Sequence, residues 1–253
     1  MIWHALCAIP FETHFPKGMF MNLSPAFKPA VACESDHHAS ASSELAERLA
    51  RLIALREHAP HDRGAIEAFI RDCFASAHGA SVNHFMPRLL SLESRSGERI
   101  AAFGLRDAGR HSLFLEQYLD MPIESVLQSR LGRAVRRDEI IEVGNLSALY
   151  PGAARWLIVA LTAVLHREGY RWVVFTGTAA LRNGFTRLGL RPVEIGEASL
   201  ARLPAVDRDG WGRYYDHAPL VMAGDIAQGY RELLMQGDLA RMLRAGMDTV
   251  EAA

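Results

Sequence analysis

The sequence predicts an α/β fold: a mixed, mostly antiparallel sheet with flanking helices and one parallel strand-helix-strand crossover. Three observations predict it. Segments of helix and strand period follow one another in the order helix, three strands, helix, strand, helix, strand, helix, strand. The three consecutive strands are separated only by the short turns "RSG" and "AGR", which suit antiparallel hairpins. The segment 153–170 lies between two strands and is apolar almost all round, as a helix buried between sheet and neighbours must be. That unit, 139–181, predicts a right-handed parallel crossover.

Each element has its own justification. Residues 1–42 are rich in Pro, Ser, Ala and His without a sustained period and read as a flexible arm. In 43–59, Leu45, Leu49, Leu52 and Leu55 recur at helical spacing, and Pro60 closes the helix. A second amphipathic helix covers 62–80, with Asp62 as cap and Gly79 near its end. Strands follow at 85–94, 98–108 and 111–119. A short helix at 122–132 has Pro122 at its start and Gly132 after it. The next strand is 139–149, then the apolar helix, then a strand at 171–181 with a helical turn or two at 182–190. A last strand at 218–226 precedes a C-terminal helix and tail, 227–253, so that 43–226 forms the main domain.

Composition narrows the function classes. The chain has 253 residues, 49% of them hydrophobic and 23% charged, an ordinary globular balance. A formal net charge of -1 supplies no global field for nucleic acid. Cys7, Cys33 and Cys73 lack C-x-x-C spacing, and the histidines are scattered, so neither a disulfide framework nor a metal site is expected. No apolar run reaches the roughly 18–20 residues needed to span a bilayer. The first residues lack a basic start, and Pro10 and Glu12 interrupt their apolar run, so a cytoplasmic location is expected, with Met19 or Met21 as alternative starts.

The stretch "EVGNLSALYPGAAR" carries the first functional signal. A strand that stops against a helix N-terminus presents unpaired N–H groups and the positive end of the helix dipole, which suits a phosphate. Gly152 allows close approach, Ala153 and Ala154 leave room after Pro151, and Arg155 adds charge. A phosphate, pyrophosphate or pantetheine arm would fit; a plain tight turn explains the same residues.

The order of elements, with "RNGFTRLGL" after the second parallel strand, resembles the GCN5-related N-acetyltransferase (GNAT) fold. That resemblance implies an acyl-CoA pyrophosphate at the strand-helix junction and places Asn183 at the family's Asn position. Two departures stand out. The basic, glycine-spaced pyrophosphate signature is only half present in "YPGAAR", and the family's thiolate-protonating tyrosine falls at Phe185, which has no proton to give. Five motifs in order, "GLRDA", "LFLEQYLDMPIE", "EVGNLSA", "VVFTGTAALRNGFTRLGL" and "WGRYYDHAPLVMAGDI", resemble the thermostable hemolysin family over about 62–226. That family is similar in turn to the acyl-homoserine lactone (autoinducer) synthases, which take acyl-carrier protein or acyl-CoA donors on the same fold.

Acyl transfer to an amine needs a base, an oxyanion donor and a place for the chain. Glu142, an ionisable group within "IIEVGNL", is the expected base, and the resemblance places it at the synthases' glutamate; the alternative is an ion pair with an arginine such as Arg106. Arg106 matches a strand arginine of the synthases. Asn145 stands where they carry arginine, which puts their acceptor in doubt, and it is expected to touch pantetheine or cap the strand. Backbone N–H groups across Asn145, Leu146 and Ser147 would hold the thioester oxygen. Glu116, read in a strand with Leu115 and Gln117 on its other face, would share the site with Glu142 or make an edge ion pair. "WGRYYDH" offers a substrate lid in which Tyr214 or Tyr215 replaces Phe185 as donor, or aromatic packing.

The function these expectations add up to is transfer of a medium or long acyl chain from acyl-CoA or acyl-carrier protein to an amine-bearing small molecule, without a metal. Two rivals are a membrane-active protein using the stretches 43–59 and 225–245, whose mixed charges suit packing better than anionic lipid, and a non-catalytic acyl-thioester-binding module.

Overall fold

The computed structural model describes residues 53–94, 96–236 and 250–252. The arm at 1–42, the start of the 43–59 helix and most of the C-terminal tail lie outside the described residues. In chain order the strands are β1 (Ile53–His58), β2 (Arg88–Ser94), β3 (Arg99–Asp107), β4 (Ile140–Ala148), β5 (Trp172–Gly177), β6 (Val193–Glu197), β7 (Leu220–Asp225) and β8 (Val250–Ala252). The helices are α1 (Arg63–His78), α2 (Ile123–Leu131), α3 (Pro151–Arg167), α4 (Ala179–Arg187) and α5 (Ile226–Met235).

The strands form one sheet in the order β6-β7-β5-β4-β3-β2-β1-β8. Pairing is antiparallel except for β4 with β5 and β1 with β8. The expected mixed sheet and its parallel strand-helix-strand unit are therefore present. Every residue of β4 is buried, as a central strand covered on both faces requires. Helix α1 packs against β2, β3 and β4, while α3 packs against β3, β4 and α5. Gly79 and Gly132 end α1 and α2 in the left-handed conformation, so both stop signals read from the sequence are used as such.

Three elements differ from expectation. Residues 53–58 are a strand where leucine spacing predicts a helix. Pairing with β2 along all six residues and with β8 on the other side outweighs the local periodicity. A buried polar chain fastens that strand: His58 lies 3.0 Å from Asp62 and 2.8 Å from the Ser91 hydroxyl, which donates to Glu93. The segment expected as a strand at 111–119 is instead a 3-10 turn, Phe114–Tyr118. Its N–H groups go to carboxylates rather than to a neighbouring strand. Finally β6, short and mostly exposed, gave no apolar signal and forms the sheet edge beside β7.

Candidate acyl-transfer site

The parallel pair is short, and its shortness creates the site. β4 and β5 are in register only at Ile140–Trp172, Ile141–Val173 and Glu142–Val174. Beyond that vertex β5 continues alongside β7 to Gly177, and β4 continues alongside β3 to Ala148. The sheet therefore splits between the two strands, and each leaves main-chain N–H and C=O groups along the split without a ladder partner from the other strand.

β4 also bulges at this level. Ala102 pairs with Ser147 and Gly104 with Gly144, so Asn145 and Leu146 together face Phe103. Asn145 takes φ 50°, a left-handed conformation that asparagine tolerates better than most residues. Its side chain fixes the bulge: Oδ1 accepts from the Met86 N–H at 2.7 Å, and Nδ2 donates to the His84 carbonyl at 3.2 Å. The side chain thus ties the 84–86 segment to the bulge and does not cap the end of β4, which runs on to Ala148. The Met86 side chain lies over Gly104 and Gly144, and a Cβ on either glycine would press into it. Leu146 and Ser147 are fully buried.

The junction after β4 is tighter than expected. Helix α3 begins at Pro151, so Gly152, Ala153, Ala154 and Arg155 make its first turn rather than a loop, and no side chain caps that turn. Its leading N–H groups, with the exposed Arg155 beside them, remain a fit for phosphate. Asn183 is exposed on α4. Phe185 is buried, its ring tilted against that of Phe175 at a centroid distance of 5.2 Å.

The two carboxylates expected to act as a pair instead clamp one turn from two sides. Glu142, 3% exposed, stands at the vertex of the split. Its oxygens accept the Phe114 and Leu115 N–H groups, each at 2.9 Å, and Arg106, its cross-strand partner on β3, lies 3.6 Å away. Burial raises its pKa against the pull of Arg106 and the two N–H groups. Glu116 accepts the Leu113 and Ile123 N–H groups and pairs with Arg137, which donates to both of its oxygens at 2.6 and 2.8 Å. Burial works to raise Glu116, but Arg137 and the N–H groups prevail and hold it at about 2. That carboxylate is an anion already spent on Arg137, so its geometry is that of an ion pair and not of a proton carrier. The expected strand alternation failed because the turn supplies donors that strand geometry would have directed elsewhere.

The clamped turn presents Tyr118, which the sequence reading did not single out. Its hydroxyl lies 2.6 Å from that of Tyr215. Burial raises both phenols, Tyr215 to about 12 despite its bond with Tyr118. Trp211 and Tyr214 are buried and pack with Phe114 and Tyr215, so the aromatic segment is a wall of the core where a lid was one reading. Among the described residues, no group of His, Cys, Asp or Glu is arranged to hold a metal ion, and no helix is long and apolar enough to cross a membrane.

Comparison with known proteins gives the following. The thermostable hemolysin family model matches residues 56–230. FeeM, an N-acyl amino acid synthase from uncultured soil microbes, is 16% identical, with 71% of this chain and 94% of that chain covered and a TM-score of 0.49. TofI, in a ternary complex with an inhibitor and MTA, is 15% identical over 74% of this chain and 99% of that chain, with a TM-score of 0.49. MesI, a CoA-dependent acyl-homoserine lactone synthase, is 13% identical over 78% of this chain and 98% of that chain, with a TM-score of 0.46. No curated protein matches.

Proposed function

Since the chain belongs to the thermostable hemolysin family, we propose that members of its kind act as acyltransferases, and that this one moves an acyl group from acyl-CoA or acyl-carrier protein to the amine of a small molecule. The observation that carries this reading is the split sheet: an unpaired β4 edge that runs straight into the uncapped first turn of α3. An extended pantetheine arm has amides that pair with such an edge as an added strand would, while its phosphate would reach the Gly152 and Ala153 amides and Arg155, the Ala154 N–H being already given to the Tyr150 carbonyl. In this reading Asn183, exposed on α4, would flank the arm.

In this reading the thioester oxygen lies against N–H groups of the Asn145–Ser147 bulge, which exist before substrate arrives and so cost little to organise. The amine nitrogen attacks the thioester carbon, a C–N bond forms and the C–S bond breaks. Glu142, at the vertex and with its pKa raised by burial, takes the proton from nitrogen, helped in position by Arg106. The thiolate then leaves and takes its proton from water. Burial pushes the Tyr215 phenol up to about 12, so it would stay protonated and offer the departing sulfur a hydrogen bond.

Native mass spectrometry with acyl-CoAs of graded length and with acyl-carrier protein, followed by thiol release on adding amines, tests the reading. Retention of one donor with amine-dependent thiol release is expected. If the purified chain neither retains nor turns over any acyl thioester, the proposal fails.

A further inference from the structure

We infer that the open cleft beside Tyr118 is the entrance for the acceptor, and that the acceptor carries an ammonium group on an apolar body. This rests on the acyltransferase reading above and adds to it a second binding place and a substrate class. The cleft lies between the Tyr118–Met121 segment, α2 and β6, and its volume of about 500 Å³ suits a small molecule. Leu119, Val126 and Ile195 give it an apolar lining, and Tyr118 lines it as well.

Charge decides what the lining receives. Asp120 and Arg202 both line the cleft but are engaged with each other, and Arg202 also donates to the Tyr118 carbonyl. Their charges cancel. Glu197, at the end of β6, also lines the cleft and is exposed; among the described residues its carboxylate has no ion pair or hydrogen bond. The cleft is therefore left with one net negative charge above apolar walls. An ammonium answers that charge, an aliphatic or aromatic body answers the walls, and a carboxylate there would be repelled. A single carboxylate is too few ligands for a divalent cation.

The cleft borders the turn that Glu142 holds. Tyr118 belongs both to its wall and to the pair with Tyr215, and the turn that carries Tyr118 is held by Glu142 through Phe114 and Leu115. An amine moving inward from Glu197 leaves water, and leaving water favours its neutral, attacking form.

The test uses three probes of similar shape on the full chain: 2-phenylethylamine, 2-phenylethanol and 3-phenylpropionate, with binding followed by NMR shifts. Cleft residues are expected to shift with the amine, several-fold less with the alcohol and not with the acid. Glu197→Gln is expected to weaken the amine roughly five- to tenfold and leave the alcohol unchanged. Glu194→Gln, which removes the neighbouring β6 carboxylate paired with Arg182, should leave amine binding as it was. Equal binding of amine and acid, or no response to Glu197→Gln, overturns the inference. The two proposals fail separately. Amine binding in a chain that retains no acyl thioester sinks the acyltransferase and not the cation cleft. Acyl transfer to amines that is indifferent to Glu197→Gln sinks the cleft and not the transferase.

Discussion

Replacing Asn145 by alanine removes two supports of the bulge at once. The Met86 N–H, buried and bonded to Oδ1 at 2.7 Å, loses its acceptor, and an orphaned buried donor costs about 2 kcal/mol. The backbone must also hold φ 50° without the side chain that tolerates it, which costs about 1 kcal/mol more. The bond to the His84 carbonyl adds little, because water can reach that partly buried group. The sum is about 3 kcal/mol, or a fall of roughly 9 °C in Tm for a chain of this size. Glycine loses the same hydrogen bond but accepts the left-handed conformation. After its own entropic cost it should be less damaging than alanine by about 0.5 kcal/mol. Thermal unfolding followed by circular dichroism, on wild type and both variants, reads all three values. A loss below 1 kcal/mol for alanine, or glycine worse than alanine, would refute the account of the bulge as held by this side chain and this backbone angle.

Other expectations follow from the same groups. Glu142→Gln should leave donor retention intact while amine-dependent thiol release falls by about two orders of magnitude; an unchanged rate removes Glu142 as base. Burial, with His217 and Arg213 nearby, lowers His78 from 6.5 to about 4, so its contribution to stability is complete above pH 6.5 and is lost as pH falls through 4. Glu116, lowered from 4.5 to about 2, extends the loss: its share is present above pH 4.5 and disappears toward pH 2. Urea titrations at stepped pH should show both windows, with Glu116→Gln flattening only the lower one. Gly104→Ala drives a Cβ into the Met86 Cβ, a position that cannot swing aside, and should cost about 1–3 kcal/mol in the same urea titration. Gly144→Ala meets the mobile end of Met86 and should cost less.

What the sequence made legible was set by how local each signal is. The ends of α1 and α2 were legible because Gly79 and Gly132 sit at left-handed stops, a constraint that belongs to one residue. The β4-α3-β5 unit was legible because an apolar run, a helix and a second run are each local patterns. β1 was not. Leu52 and Leu55 satisfy a helical period, and only the six-residue pairing with β2, a partner more than thirty positions away, makes 53–58 extended. The turn at 114–118 failed for a related reason. Its N–H groups are captured by Glu142 from another strand, and no window around "LFLEQYL" contains that acceptor.

The same distinction explains the site. Glu142 could be found by type, since a carboxylate among apolar strand neighbours must be satisfied somehow, and Arg106, a strand arginine, was one candidate partner that the pairing of β3 with β4 puts opposite it. What satisfies Glu142 most closely, two backbone N–H groups 27 and 28 positions away, follows only from where the sheet places the turn. Glu116 carries the lesson further. The sequence suggested that Glu116 shares a site with Glu142 or makes an edge ion pair; Arg137 neutralises Glu116 and burial destabilises the charge of Glu142, so their pKa values move in opposite directions. Such a separation is what lets one carboxylate serve as a fixed anion while its neighbour exchanges protons. Tyr118 completes the argument. It stood inside a motif already quoted, yet its significance depends on a hydroxyl 97 positions away. A residue whose role is defined by one distant contact carries no mark in its own surroundings, and the fold alone brings that contact about.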